Sequence, residues 1–144
     1  MDEKEAFRIG SELVKGSRFA LLSTIGDDEH PWTKMMFNIA PEGLKKIYFS
    51  TNTSSRRVSH ILRNGRTSVY FFDQERFVGL LLIGTARVLQ DEESRKRFWV
   101  DGFERYYKLG VNDPDYSVIE FVASKANLYC SLSKTDFPVH GDNL

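Results

Sequence analysis

The chain has 144 residues, 28% of them charged and 41% hydrophobic, with 20 basic and 20 acidic side chains that cancel. These values exclude a disordered or fibrous chain and predict a single domain, and zero net charge gives no global field toward nucleic acid or an anionic membrane. A single cysteine, Cys130, excludes an internal disulfide framework and a multi-cysteine zinc site.

The start of the chain, MDEKEAFRIG, lacks the basic and apolar regions of a secretory signal. Ala6, Ile9, Leu13 and Val14 recur at helical spacing, which predicts an amphipathic lid helix over residues 2–15 that Gly16 terminates. Residues 19–25 are a β-rich run, a turn follows at Gly26-Asp27-Asp28, and residues 32–40 form the second strand of a hairpin. After a turn at Pro41-Glu42-Gly43, residues 46–50 (KIYFS) make a third strand, and residues 55–64 a short helix ending at Asn64-Gly65.

Residues 67–72 and 77–89 are two more strands. The second is so apolar around Leu80 to Ile83 that both its faces must be covered, yet its apolar run is far short of the ~20 residues of a membrane span. Together with the lone cysteine this predicts a soluble cytoplasmic protein. A helix is expected over residues 91–107, a loop over 110–115, strands over 117–122 and 127–132, and a loop-like tail over 133–144. Six or seven strands with short turns and few helices imply a mainly β, β plus α chain: one domain over residues 1–144, built as a small antiparallel barrel with peripheral helices.

Chemistry concentrates in residues 49–57, FSTNTSSRR. Hydroxyl and amide side chains run from Ser50 and Thr51 through Asn52, Thr53, Ser54 and Ser55 into a helix that opens with Arg56 and Arg57. Cations in a first turn face the positive end of the helix dipole and are disfavoured there by ~0.3–1 kcal/mol each. An anion such as a phosphate, held by guanidinium groups, hydroxyls and free N–H groups, accounts for them. A solvated helix with surface ion pairs accounts for them equally well from local sequence alone. Alternation along the second strand puts Thr33, Met35, Phe37 and Ile39 on a core face, and Trp32, Lys34, Met36 and Asn38 on a chemically mixed face suited to a polar heterocycle beside a phosphate.

Other constellations point elsewhere or nowhere. His30, His60 and His140 have no ligand spacing, so no metal site is expected, and His60 reads as a surface or packing residue. Gly-rich phosphate loops and a nucleophile elbow are missing. Asp113-Pro114-Asp115 reads as a turn, Cys130 as an inert strand thiol, and Phe98, Trp99, Phe103, Tyr106 and Tyr107 as a helix core.

On these residues the chain resembles the pyridoxamine 5′-phosphate oxidase-like superfamily, and within it the general stress protein branch, from the first strand to about Tyr129. Thr51-Asn52-Thr53-Ser54-Ser55-Arg56-Arg57 is similar to the oxidases' T-N-x-x-S-R-K, with Arg57 where lysine is usual, and Lys34-Met35-Met36-Phe37 is similar to their arginine-led strand element. Gly84 and the stretch from Phe98-Trp99 through Gly110 to Asp115 look like the stress branch. The resemblance implies a split β-barrel that binds FMN between the two subunits of a homodimer. It implies that Lys34, Met35, Met36 and Phe37 line the flavin, that Ser50, Thr51, Ser55, Arg56 and Arg57 hold its phosphate, and that Trp99 reaches the site from the partner. Gly79 stands where the oxidases place a flavin-contacting glutamine, and the tail SKTDFPVHGDNL lacks their Arg/His substrate motif. The implied function is therefore a stress-related, FMN-dependent oxidoreductase-like protein distinct from a true pyridoxamine 5′-phosphate oxidase, with no catalytic side chain assigned. The alternatives are a non-catalytic flavin or B6-vitamer binding protein, or a barrel that holds haem or a deazaflavin.

Overall fold

The computed structural model describes residues 1–141. Helix α1 (Glu3–Gly16) precedes strands β1 (Phe19–Ile25), β2 (Pro31–Phe37) and β3 (Lys46–Asn52), helix α2 (Arg56–Arg63), strands β4 (Arg66–Asp73) and β5 (Val78–Leu89), helix α3 (Glu92–Arg97), and strands β6 (Tyr116–Cys130) and β7 (Ser133–Pro138). All seven strands are antiparallel in one sheet of order β2-β1-β4-β5-β6-β3, with β7 added to β6. The sheet curls until its two edges meet, where the Ile39 N–H donates to the Tyr48 carbonyl across 3.4 Å. This is the mainly β split barrel with peripheral helices.

The core lies inside the curl. Leu22, Phe49, Val69, Phe71, Leu80, Leu82, Ile119 and Phe121 fill it, and α1 closes one side with Ala6, Leu13 and Val14. Asp2 starts α1 by accepting the Glu5 N–H at 2.8 Å, satisfying one of the helix's orphan donors. A second, aromatic cluster of Tyr48, Phe98, Phe103, Tyr107, Tyr116 and Val118 packs outside the β3–β6 pair.

Four expectations are corrected. The helix expected over residues 91–107 stops at Arg97. Gly102 then turns the chain at φ 100°, and Phe98, Phe103 and Tyr107 reach one cluster from a folded-back segment that a straight helix could not bend to. The two strands expected at 117–122 and 127–132 are a single strand of fifteen residues. Its first half pairs with β3 and its second half with β7, and a register shift opposite Ile83 and Gly84 turns the corner.

The tail is no loop: Ser133–Pro138 is β7, which buries Phe137, and Val139 is buried just beyond it. Ser131 and Leu132, at φ 50° and 62°, make the two-residue hairpin turn. Residues 142–144 of that tail lie outside the described residues.

The faces of β2 are the reverse of those expected. Ala20 opposes Met36 and Leu22 opposes Lys34, so Met36 points into the core while Met35 and Phe37 are exposed. β2 is an edge strand with apolar residues on both sides, and the register of its buried neighbour decides which side goes in. No helix among the described residues is long and apolar enough to cross a membrane.

Candidate functional site

The inner face of the β1–β2 hairpin runs past the end of the core and meets α2. Between them lies a cleft of about 280 Å³ lined by Thr24, Trp32, Lys34, Arg56, Arg57 and His60. Three of these six side chains are cations and none is a carboxylate. Helix α2 points its N-terminus here, with no acidic residue in its first turn, and Ser55 at the cap position makes no side-chain capping bond. The helix thus keeps unspent N–H groups next to Arg56 and Arg57, an arrangement that attracts an anion.

Each wall is held from behind. Buried Thr51, at the end of β3, accepts from Arg57 Nη1 at 2.7 Å and lies 3.3 Å from the Ser55 hydroxyl. Arg57 Nε is buried without an acceptor, and burial pushes the guanidinium pKa below its usual value. On the opposite wall the Arg56 guanidinium sits 5.3 Å over the Trp32 ring, a cation–π contact. Trp32 Nε1 donates to Asp28 Oδ1 at 3.0 Å, and the indole lies so close to Gly26 that a Cβ there would stand 2.3 Å from Nε1. Buried His60 joins its Nδ1 to Thr24 Oγ1 at 2.9 Å.

Of the residues expected to bind a cofactor, Lys34, Arg56 and Arg57 line the cleft, and Thr51 and Ser55 brace it. Ser50 alternates with core-facing Phe49 and Thr51 and so faces the other way, on the side of Tyr48 and the aromatic cluster. Met35 and Phe37 sit on the outer face, Met35 in a second groove of about 440 Å³ with Leu21, Phe19 and Phe72. Met36 lines neither groove, because its side chain is in the core. Trp99 packs on Phe103, Tyr107 and Tyr116 of its own chain, 5.2 Å from the last, and is not among the cleft residues.

Sequence reasoning missed two parts of this site. Thr24 and His60 form the floor, and only their pairing across two elements makes them visible. Asp115 ties down the turn before α2 from 63 residues away, accepting from Asn52 Nδ2 and from the Ser54 N–H, each at 2.8 Å. Among the described residues no group of His, Cys, Asp and Glu is arranged to hold a metal ion.

The family model for pyridoxamine 5′-phosphate oxidase matches residues 10–130. A solved protein from Clostridium acetobutylicum, related to general stress protein 26 of B. subtilis and described as of the pyridoxinephosphate oxidase family, is 39% identical, with a TM-score of 0.86 over 96% of this chain and 97% of that one. General stress protein 26 from Bacillus anthracis is 20% identical with a TM-score of 0.74, covering 95% of this chain and 100% of its own. A heme binding protein from Mycobacterium smegmatis is 13% identical with a TM-score of 0.76, covering 92% of this chain and 57% of its own. At the last two identities the likeness is one of fold. No curated protein matches the sequence.

Proposed function

The chain belongs to the pyridoxamine 5′-phosphate oxidase family, in its general stress protein branch, and on that footing we propose that it is an FMN-binding, flavin-dependent oxidoreductase-like protein that works as a homodimer. One observation carries the reading: a carboxylate-free cleft gathers Lys34, Arg56 and Arg57 at the N-terminus of α2, and Arg57 Nε is buried there without a protein acceptor. A phosphate monoester fits that donor set. It takes bidentate and point-charge contacts together, and it compensates a buried cation that otherwise carries a desolvation penalty.

Lys34, Arg56, Arg57 and the first N–H groups of α2 would hold the phosphate, while Thr51 aims Arg57. The ring would lie along the exposed side of β2, against Met35 and Phe37. Bound flavin supplies the redox chemistry, and the chain supplies position, electrostatics and exclusion of water. A cytoplasmic setting suits the single partly buried thiol, Cys130.

Titrating the purified protein with FMN, followed by absorption and flavin fluorescence, should give saturable binding of one FMN per chain. A flat titration in excess FMN overturns the reading.

A non-catalytic flavin or B6-vitamer binding role is the second reading, and one observation favours it. A Cβ at Gly79 would stand 2.0 Å from the Tyr70 hydroxyl, so the Tyr70 ring occupies the space that a side chain in place of the oxidases' glutamine would need. Reduction of the bound flavin by NAD(P)H, followed by reoxidation, separates the two readings.

A further inference from the structure

The segment between Asn52 and Ser55 has to present an anion site, yet it is irregular backbone, and irregular backbone is held only where its donors have partners. Three donors of this segment are taken by one residue. Asp115 Oδ2 accepts from Asn52 Nδ2 at 2.8 Å, Asp115 Oδ1 accepts from the Ser54 N–H at 2.8 Å, and the Asp115 carbonyl accepts from the Thr53 N–H at 2.7 Å. The Ser55 N–H closes the turn on the Asn52 carbonyl at 3.0 Å.

Asp115 is itself anchored. Its N–H donates to Asp113 Oδ1 at 2.9 Å, and the other oxygen of the same Asp113 carboxylate accepts from the Leu109 N–H at 3.0 Å. The carboxylate of a loop next to β6 therefore fixes the entry to α2.

We propose that Asp115 is a positioning residue that makes the cleft selective for a phosphorylated flavin, by locking the Asn52–Ser55 turn so that the cap of α2 stays open. The inference rests on the FMN reading above. With the turn held from outside, Ser55 keeps its hydroxyl 3.3 Å from Thr51 Oγ1 and makes no capping bond to α2. Released from Asp115, the turn would relax, Ser55 would take the usual N-cap role, and the N–H groups in the first turn of α2 would close on their own chain.

The sign of the effect distinguishes this role from simple electrostatics. A negative charge near a phosphate site weakens phosphate binding through space, so removing it should strengthen binding. Both carboxylate oxygens, however, hold donors of the turn, and Asp115 is not among the residues that line the cleft. Positioning then outweighs repulsion, and removal of the carboxylate weakens binding. The loss falls on FMN and spares riboflavin, which carries the same ring and ribityl chain without the phosphate.

The test is the ratio of riboflavin to FMN dissociation constants in the full-length wild-type protein and in Asp115→Ala, measured by fluorescence titration. The ratio should fall by roughly tenfold to a hundredfold in the variant, the size of loss known for groups that orient metal ligands. Asp115→Asn, which keeps an acceptor for Ser54 and can pair with a flipped Asn52 amide, should recover most of the ratio. Asn52→Ala breaks the same link from the other side, and should lower the ratio even if Asp115→Ala does not fold. FMN binding in Asp115→Ala as tight as in wild type, or tighter, overturns the proposal. So does an equal loss of both flavins, which is what a merely structural role would give. Absence of FMN binding by the wild type would instead sink the cofactor reading itself.

Discussion

Arg57 is the residue in which stability and binding pull apart. Its Nη1 is fixed on Thr51, its Nε is buried without an acceptor, and burial lowers its pKa. A guanidinium so placed adds little to folding, because a desolvated donor without a partner costs about 1–3 kcal/mol. Arg57→Ala should therefore leave the melting temperature of the FMN-free protein unchanged or slightly raised. It should weaken FMN binding by about tenfold to a hundredfold, the worth of a charge-assisted hydrogen bond of ~1.5–3 kcal/mol. Calorimetric titration beside thermal melts checks both halves, and unchanged affinity would remove Arg57 from the site. Arg56, exposed and stacked on Trp32, has a weaker claim. At this scale the sequence made the cations legible, since Arg56 and Arg57 stand where a helix dipole disfavours them and Lys34 lies on a mixed strand face. Asp115, Thr24 and His60 were not legible, because each acts through a partner on another element and no local pattern marks it.

Elements were legible where hydrophobic period and turn chemistry agreed, and missed where a turn used unusual residues. Helices α1 and α2 and strands β1, β4 and β5 stand close to their expected bounds. The β6–β7 hairpin was missed because Ser131-Leu132 takes positive φ at both positions without the Asn or Gly that announces such a turn. Continuity of β6 was missed because exposed Ser124 and Lys125 resemble a loop, whereas they mark the corner where the strand exchanges β3 for β7. The corner depends on Gly84. A Cβ there would lie 2.0 Å from the Val122 carbonyl oxygen and 2.9 Å from Ala123 Cα, both backbone atoms that no rotamer change can move aside. Gly84→Ala should cost about 1–3 kcal/mol or more of overpacking and lower the melting temperature by several degrees. Unfolding followed by circular dichroism measures it, and an unchanged midpoint would contradict the close approach of β6 to β5.

For the molecule as a whole, the decisive feature is an apolar outer surface that one chain leaves uncovered. Strand register sets Met35, Leu21, Tyr70 and Leu81 in one row, and Phe37 with Phe19 in the next, beside Phe72. Thr33, Ser23 and Ser68 form the row on the other side, which ends on Ile83. Met35 is 67% exposed and Phe72 52%, and contiguous apolar patches of this kind mark interfaces more often than bare surface. The run from Leu80 to Ile83 demands cover on both faces, but the chain supplies it only for Leu80 and Leu82 and leaves Ile83 at 38% exposure. In the proposed homodimer a second copy supplies the rest. Light scattering should then give about twice the 16.6 kDa of one chain. Phe72→Lys, which meets the partner twice in a two-fold assembly, should shift the mass to a single chain without loss of strand content. The same variant couples assembly to the cofactor. If the flavin ring lies on this face between subunits, FMN affinity falls with the dimer, whereas riboflavin-to-FMN selectivity, set by the Asp115 turn on the other side of β2, survives in whatever binding remains.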